Sequence, residues 1–257
     1  MAQFKADVDI LTTADSGRRD LKALIWSVLH TTENSDNTPP DNVAKWQQDE
    51  SNESSYNVLF GTDGRTVRSN DDDYSPWSAG MPGNRLGVHG SAIGYASRTR
   101  AQWLKFPKQL ESIAQWLATN HREYGMPLRE LTVDEVRRRV PGVTTHAVYW
   151  QAIGKAQGMD TRTDPGAGFP MDVVLKRAKE IVTPKTPKPP TVKDEGMTDQ
   201  QYKELVKLLK LILDQLVGHP GLKFPGWSQL GGRSLVDAVA AIGEALEVEG
   251  MKKNDSN

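Results

Sequence analysis

Apolar positions fall in two patterns along the chain. Up to about residue 96 they form short runs bounded by Gly, Pro, Asn and Asp, and beyond residue 100 they recur every three or four positions. The runs predict buried strands at residues 22–29 and 55–60, with His30 standing where the first strand ends. The turn Gly61-Thr62-Asp63-Gly64 leads to a short return strand at 66–68, and residues 91–96 give a third strand. The polar, Gly/Pro-rich stretch 71–90 predicts a long loop. Trp103, Leu104, Phe106, Leu110, Ile113, Ala114 and Leu117 mark an amphipathic helical region over 100–124, with Pro107 opening the main helix. Thr132-Val133-Asp134-Glu135 is a capping box for a short helix, and residues 171–181 form a last one. Strands alternating with helices indicate an α/β domain with a central sheet.

A spacer follows. Residues 183–196 hold four prolines among interleaved lysines, a composition that favours an extended chain without a core. It divides a domain at 1–182 from a module at 198–257, with the linker itself at 183–197. The module opens with the capping box Thr198-Asp199-Gln200-Gln201. Tyr202, Leu205, Leu209, Ile212 and Leu216 then make a seam about two heptads long. A turn at 226–233 and a second helix at 234–246 complete a helical hairpin. Its apolar surface exceeds what two helices can bury, so it is expected to self-associate into a homo-oligomer or to dock on another surface, such as the first domain.

Composition narrows the chemistry. A net charge of −1 over 257 residues gives no strong pull toward nucleic acid or an anionic surface. With no cysteine there are no disulfides and no thiolate metal sites, so any metal must be held by His and carboxylates. The first residues lack the layout of a signal peptide, and no apolar run approaches the ~20 residues of a membrane helix. A cytoplasmic, non-inserting protein is expected.

His30, His146 and Asp164 are the residues of greatest interest. Catalytic zinc commonly takes three protein ligands of these types and keeps a fourth position open. Each has a plainer reading: a histidine after a strand is often only packed, and Asp-Pro-Gly is first a turn sequence. Four pieces in order raise the set above that. They are His30-Thr31-Thr32 after a strand; Tyr56-Asn57-Val58-Leu59-Phe60 before a Gly-x-Asp-Gly turn; Asn84 before Ser91-Ala92-Ile93-Gly94; and His146 before Arg162-Thr163-Asp164-Pro165-Gly166-Ala167-Gly168-Phe169.

Together these resemble the zinc-dependent N-acetylmuramoyl-L-alanine amidases of the peptidoglycan-recognition-protein and phage-lysozyme family, over roughly residues 20 to 180. The whole chain looks like an actinobacteriophage endolysin. The resemblance implies a central mixed sheet flanked by helices, and Zn2+ held by His30, His146 and Asp164. It implies Tyr56 beside the metal and Arg162 where many members have an oxyanion-steadying lysine. Glu33 is a candidate general base. The implied substrate is bacterial peptidoglycan, cut between N-acetylmuramic acid and L-alanine. The wall would be reached from the host cytoplasm after holin-type permeabilisation. The chain departs from the family pattern at Thr31, at Ser78, and in the long 147–163 insert between His146 and Asp164, which leaves His89 as an alternative second ligand. Two rivals stand: a non-catalytic peptidoglycan-binding protein of the same fold, and a DNA-binding helix–turn–helix over 131–157 beside Arg137-Arg138-Arg139.

Overall fold

The computed structural model describes residues 3–183 and 198–217. The chain divides into two units, Met1–Lys185 and Thr186–Asn257. In the first, a six-stranded sheet runs in the order β1 (Val8–Asp9), β5 (Thr66–Arg68), β4 (Val58–Phe60), β7 (Gly87–Ala92), β3 (Trp26–Thr31), β8 (Gly142–Thr145). Neighbours are parallel except β4 and β5, which form the hairpin closed by the Gly61–Gly64 turn. β2 (Asp15–Arg18) and β6 (Tyr74–Pro76) pair separately. The helices are α1 (Pro40–Gln47), α2 (Gly83–Leu86), α3 (Arg100–Trp103), α4 (Pro107–Tyr124), α5 (Val133–Arg137), α6 (His146–Ala152) and α7 (Met171–Val182). The α/β class and the mixed central sheet are as the sequence predicts.

All six residues of β3 and of β7 are buried, as central strands covered on both faces must be. Side chains alternate between the faces. Leu29, Val58, Phe60, Val88 and Val143 point toward α4 and α7, where Trp116, Ile113, Leu117, Val174 and Leu175 complete the main core. Trp26 and Val28 point the other way, to Leu131, Val136 and Tyr149 of the α5–α6 side. The same alternation carries His30 and His89 to that second face.

Several boundaries differ from the sequence reading. Residues 21–23 form a short 3-10 turn capped by Asp20, so the first strand begins at Trp26 and His30 lies inside it. The third strand is Gly87–Ala92, and the stretch 71–90 holds β6, α2 and most of β7. Glycine there is a close-packing device in a central strand: a Cβ on Gly90 would stand 2.7 Å from the Phe60 ring and 3.1 Å from Trp116. The segment read as helix–turn–helix contains β8, whose Val143-Thr144-Thr145 run is β-branched and pairs with β3. β1 and β2 have no counterpart in the sequence reading.

In the second unit, α8 (Asp199–Val217) starts at Thr198, whose side chain accepts the Gln201 N–H while the Gln201 side chain accepts that of Thr198. Tyr202, Leu208, Leu209, Leu211 and Ile212 are exposed along it. Residues 184–197 of the linker, the turn at 226–233 and the helix expected at 234–246 lie outside the described residues. No helix among the described residues is long and apolar enough to cross a membrane.

Candidate metal centre

Parallel pairing of β3 with β8 builds the site. Leu29 stands opposite Thr145, so the next residues, His30 and His146, emerge side by side with ring centroids 4.6 Å apart. Thr145 caps α6, and its hydroxyl accepts the Val148 N–H, which makes His146 the first residue of that helix. Asp164 arrives on the loop after α6. Its carbonyl accepts the Ala147 N–H at 3.0 Å, tying the loop to the start of α6. Asp164 Oδ2 lies 3.2 Å from His30 Nδ1 and Oδ1 lies 3.2 Å from His146 Nδ1. One potential ligand atom from each residue falls within 4.8 Å of the others, and all three side chains are buried.

The loop is held in place from beyond Asp164. Gly166 has φ +88°, and a Cβ there would meet the Ala96 carbonyl oxygen at 1.8 Å; one on Gly168 would meet the Arg98 carbonyl at 2.1 Å. Backbone thus packs on backbone behind Asp164, with no room for a side chain. Gly166→Ala is expected to lower the melting temperature by several degrees, from about 1–3 kcal/mol of strain. It should weaken metal uptake as well, as read by differential scanning fluorimetry with and without zinc.

The donor set fits zinc. His30 Nδ1 is fully buried and has no hydrogen-bond partner, although it faces a carboxylate oxygen 3.2 Å away. A buried nitrogen unpartnered beside a carboxylate calls for a cation between them. Burial pushes the His30 imidazole down to about 4, against the opposing pull of Asp164. Burial also holds His89 well below the usual histidine range. Both rings are therefore neutral, as metal ligands and their supports must be. For Asp164, burial pushes the carboxyl up, but His146 and His30 outweigh it and the group stays well below the ordinary carboxylate range. Two imidazoles and one carboxylate leave a net positive charge on a bound Zn2+.

The other candidates take distinct places. Tyr56 precedes β4, and its ring centroid is 5.1 Å from that of His30. Burial, then the charge of Asp164, push its phenol up to about 12. His30, His146 and Asp164 meet without His89, which stands behind His30 with Nδ1 at 3.0 Å from His30 Nε2. Glu33, in the left-handed region at φ 55°, accepts the Thr31 hydroxyl at 2.5 Å and the Ala96 N–H at 2.9 Å. Arg162 is exposed, and its guanidinium donates to the neighbouring Thr161 carbonyl at 3.3 Å. Glu33, Tyr56, His146, Arg162 and Asp164 all line one cavity of about 780 Å³, whose far wall is Trp77-Ser78-Ala79-Gly80. Asn84 shapes that wall by accepting the N–H groups of Ser78 and Ala79 on Oδ1.

Sequence reasoning missed the supports at the back of the site. Arg19, buried, donates to the carbonyls of Asp72, Asn84 and Gly87 and to Asn57 Oδ1. Asn57 Oδ1 also accepts the His89 N–H at 2.9 Å. Arg19 directly follows β2 (Asp15–Arg18), and nothing in its local sequence marks it as buried.

The family profile described as N-acetylmuramoyl-L-alanine amidase matches residues 22–167, more than half of the chain. The chain belongs to this amidase family. A second profile, described as the Rv3766 C-terminal domain, matches residues 197–250. No curated protein matches. Among solved structures, the amidase chain is similar to the Staphylococcus aureus hydrolase AmiA in complex with its ligand. The identity is 17%, the TM-score 0.53, and the match covers 71% of this chain and 85% of that one. It is also similar to the endolysin N-acetylmuramoyl-L-alanine amidase LysCS of Clostridium intestinale, at 14% identity and TM-score 0.46, covering 69% and 97%. The first of these shows a shared fold.

Proposed function

We propose that this amidase hydrolyses the amide between N-acetylmuramic acid and L-alanine in bacterial peptidoglycan, with Zn2+ held by His30, His146 and Asp164. The observation that carries this reading is the meeting of the His30 and His146 imidazoles with the Asp164 carboxylate, where His146 and Asp164 line the cavity. Zinc bound there supplies Lewis acidity, bringing the pKa of water to about 7 and polarising an amide carbonyl. Tyr56, protonated at neutral pH, donates a hydrogen bond to the developing oxyanion or orients the water. Arg162 adds positive charge at the cavity wall; it cannot give up a proton and acts electrostatically. Glu33, at the edge of the same cavity, is our candidate for accepting the water proton.

A neighbouring cavity of about 410 Å³ shares Thr32, Ser54 and Tyr56 with the first, has no charged residue in its lining, and presents Trp46. Neutral hydrogen-bonding groups around an exposed aromatic suit a sugar. Glu33, Glu53 and Arg162 in the main cavity suit the charged stem peptide. We further propose that the chain is an actinobacteriophage endolysin that reaches the host wall from the cytoplasm after holin-type permeabilisation. Residues 198–257 would then act as a wall-binding or self-associating module after the linker. The phage assignment rests on the motifs of the sequence alone.

Product analysis tests the reaction. Digestion of purified actinobacterial walls should release new α-amino groups on alanine without new reducing sugar ends. Reducing ends in place of amines would point to glycosidic cleavage. Wall retention with neither product would favour the non-catalytic binding protein.

A further inference from the structure

His89 is a buried titratable group for which the proposed chemistry has no use, and its surroundings define it closely. It is 0% exposed on β7, two residues deeper along the sheet than His30, since Val28 pairs with His89 and His30 with Ser91. Its Nε2 lies 3.0 Å from the Gly83 carbonyl oxygen and its Nδ1 lies 3.0 Å from His30 Nε2. A carbonyl can only accept, so His89 Nε2 carries the proton. In a neutral ring Nδ1 is then an acceptor, and the hydrogen between the two histidines belongs to His30 Nε2. His30 Nδ1 is left as a bare lone pair, and it is the atom facing Asp164.

From this we infer that His89 is a positioning residue: a relay from the Gly83 carbonyl through His89 fixes the tautomer and ring angle of His30 for metal binding.

The geometry around the relay fits that role. Gly83 is held at its other end, where its N–H donates to the Tyr149 hydroxyl at 2.9 Å. Tyr149 lies on α6, the helix that His146 opens, and packs edge-on against Trp26 of β3. The two histidine-bearing elements are therefore braced through the same residue, Gly83. A Cβ on Gly87 would stand 2.9 Å from His89 Nε2 and 3.1 Å from the Gly83 oxygen, so glycine at 87 leaves the hydrogen bond its space. Supporting groups of this kind typically contribute about 10–100-fold in metal affinity.

The inference rests on the metal reading of His30, and its test does not use catalysis. In zinc-free, 15N-labelled full-length protein, long-range 1H–15N correlation should show both His30 and His89 protonated on Nε2. Chelator-competition titration with Zn2+ should show about 10–100-fold weaker binding for His89→Leu, largely recovered in His89→Gln. The carboxamide can accept from His30 and donate to Gly83, whereas leucine does neither. Melting curves report whether each variant is folded, and if neither folds the wild-type spectrum decides. His30 protonated on Nδ1 in the wild type, or folded His89→Leu with wild-type zinc affinity, would overturn the relay. A wild type that takes up no zinc would sink the metal reading instead, whatever the tautomers.

Discussion

Asp164→Ala is expected to give a folded protein that neither retains zinc nor cleaves walls. The substitution removes the one anionic member of the proposed ligand set and leaves two buried imidazoles. Changes in groups that merely support a ligand cost about 10–100-fold in affinity, so loss of the ligand itself should cost at least that much. The fold should survive. The loop is tied to α6 through the Asp164 carbonyl, which alanine keeps, and by the close packing of Gly166 and Gly168. Without metal the carboxylate faces the unpartnered His30 Nδ1, so its removal takes away no hydrogen bond from that nitrogen. Zinc at a thousand times its Kd would stabilise the wild type by about 4 kcal/mol. At this size that is a rise in Tm on the order of 10 °C. The expected readouts are elemental analysis showing one zinc per wild-type chain and little in the variant, no zinc-dependent Tm shift in the variant, and no loss of wall turbidity. Asp164→Cys should recover part of the binding, because a thiolate is also a zinc ligand. A variant with full zinc content and activity would remove Asp164 from the site.

His30, His146 and Asp164 were legible as a group because their chemistry and order are local properties of the sequence. That they meet depends on β3 and β8 being parallel neighbours, with Leu29 opposite Thr145. The place of His89 was not legible. In sequence it looks as good a ligand as His146, and the register of β7 on β3 sets it two residues behind His30. A one-residue slip would have moved it to the opposite face. Gly87 and Gly90 misled in a similar way: glycine reads as loop, yet here it makes room for His89 and for the Phe60 and Trp116 rings. The strand at Gly142–Thr145 did leave a signal in its β-branched residues, but Pro141-Gly142 masked it as a turn between helices. Arg19 left none, since its partners are mostly carbonyl oxygens far along the chain.

Tyr56→Phe is expected to separate catalysis from metal binding. The phenol ring packs against His30, and phenylalanine keeps that contact. What it removes is one hydroxyl, whose proton is held by burial and by the negative charge of Asp164 up to about pH 12. Between pH 5 and 9 Tyr56 is therefore a donor and never a base. Deleting one donor aimed at a developing oxyanion typically costs about 10²–10³ in kcat. Zinc content, Tm and KM should stay close to wild type, because the ground-state substrate and the ligands are untouched. The sign of any pH effect also follows. Were Tyr56 the base, wild-type activity would rise toward alkaline pH with its ionisation, and the variant would lose that limb. As a donor it lowers the whole pH–rate profile by a constant factor and leaves its shape. Parallel profiles of wild type and Tyr56→Phe on soluble muropeptide, offset by about two orders of magnitude, are the expected result. A variant with unchanged kcat would make Tyr56 a packing residue of the β4 approach, and oxyanion stabilisation would then fall to Arg162 and the metal.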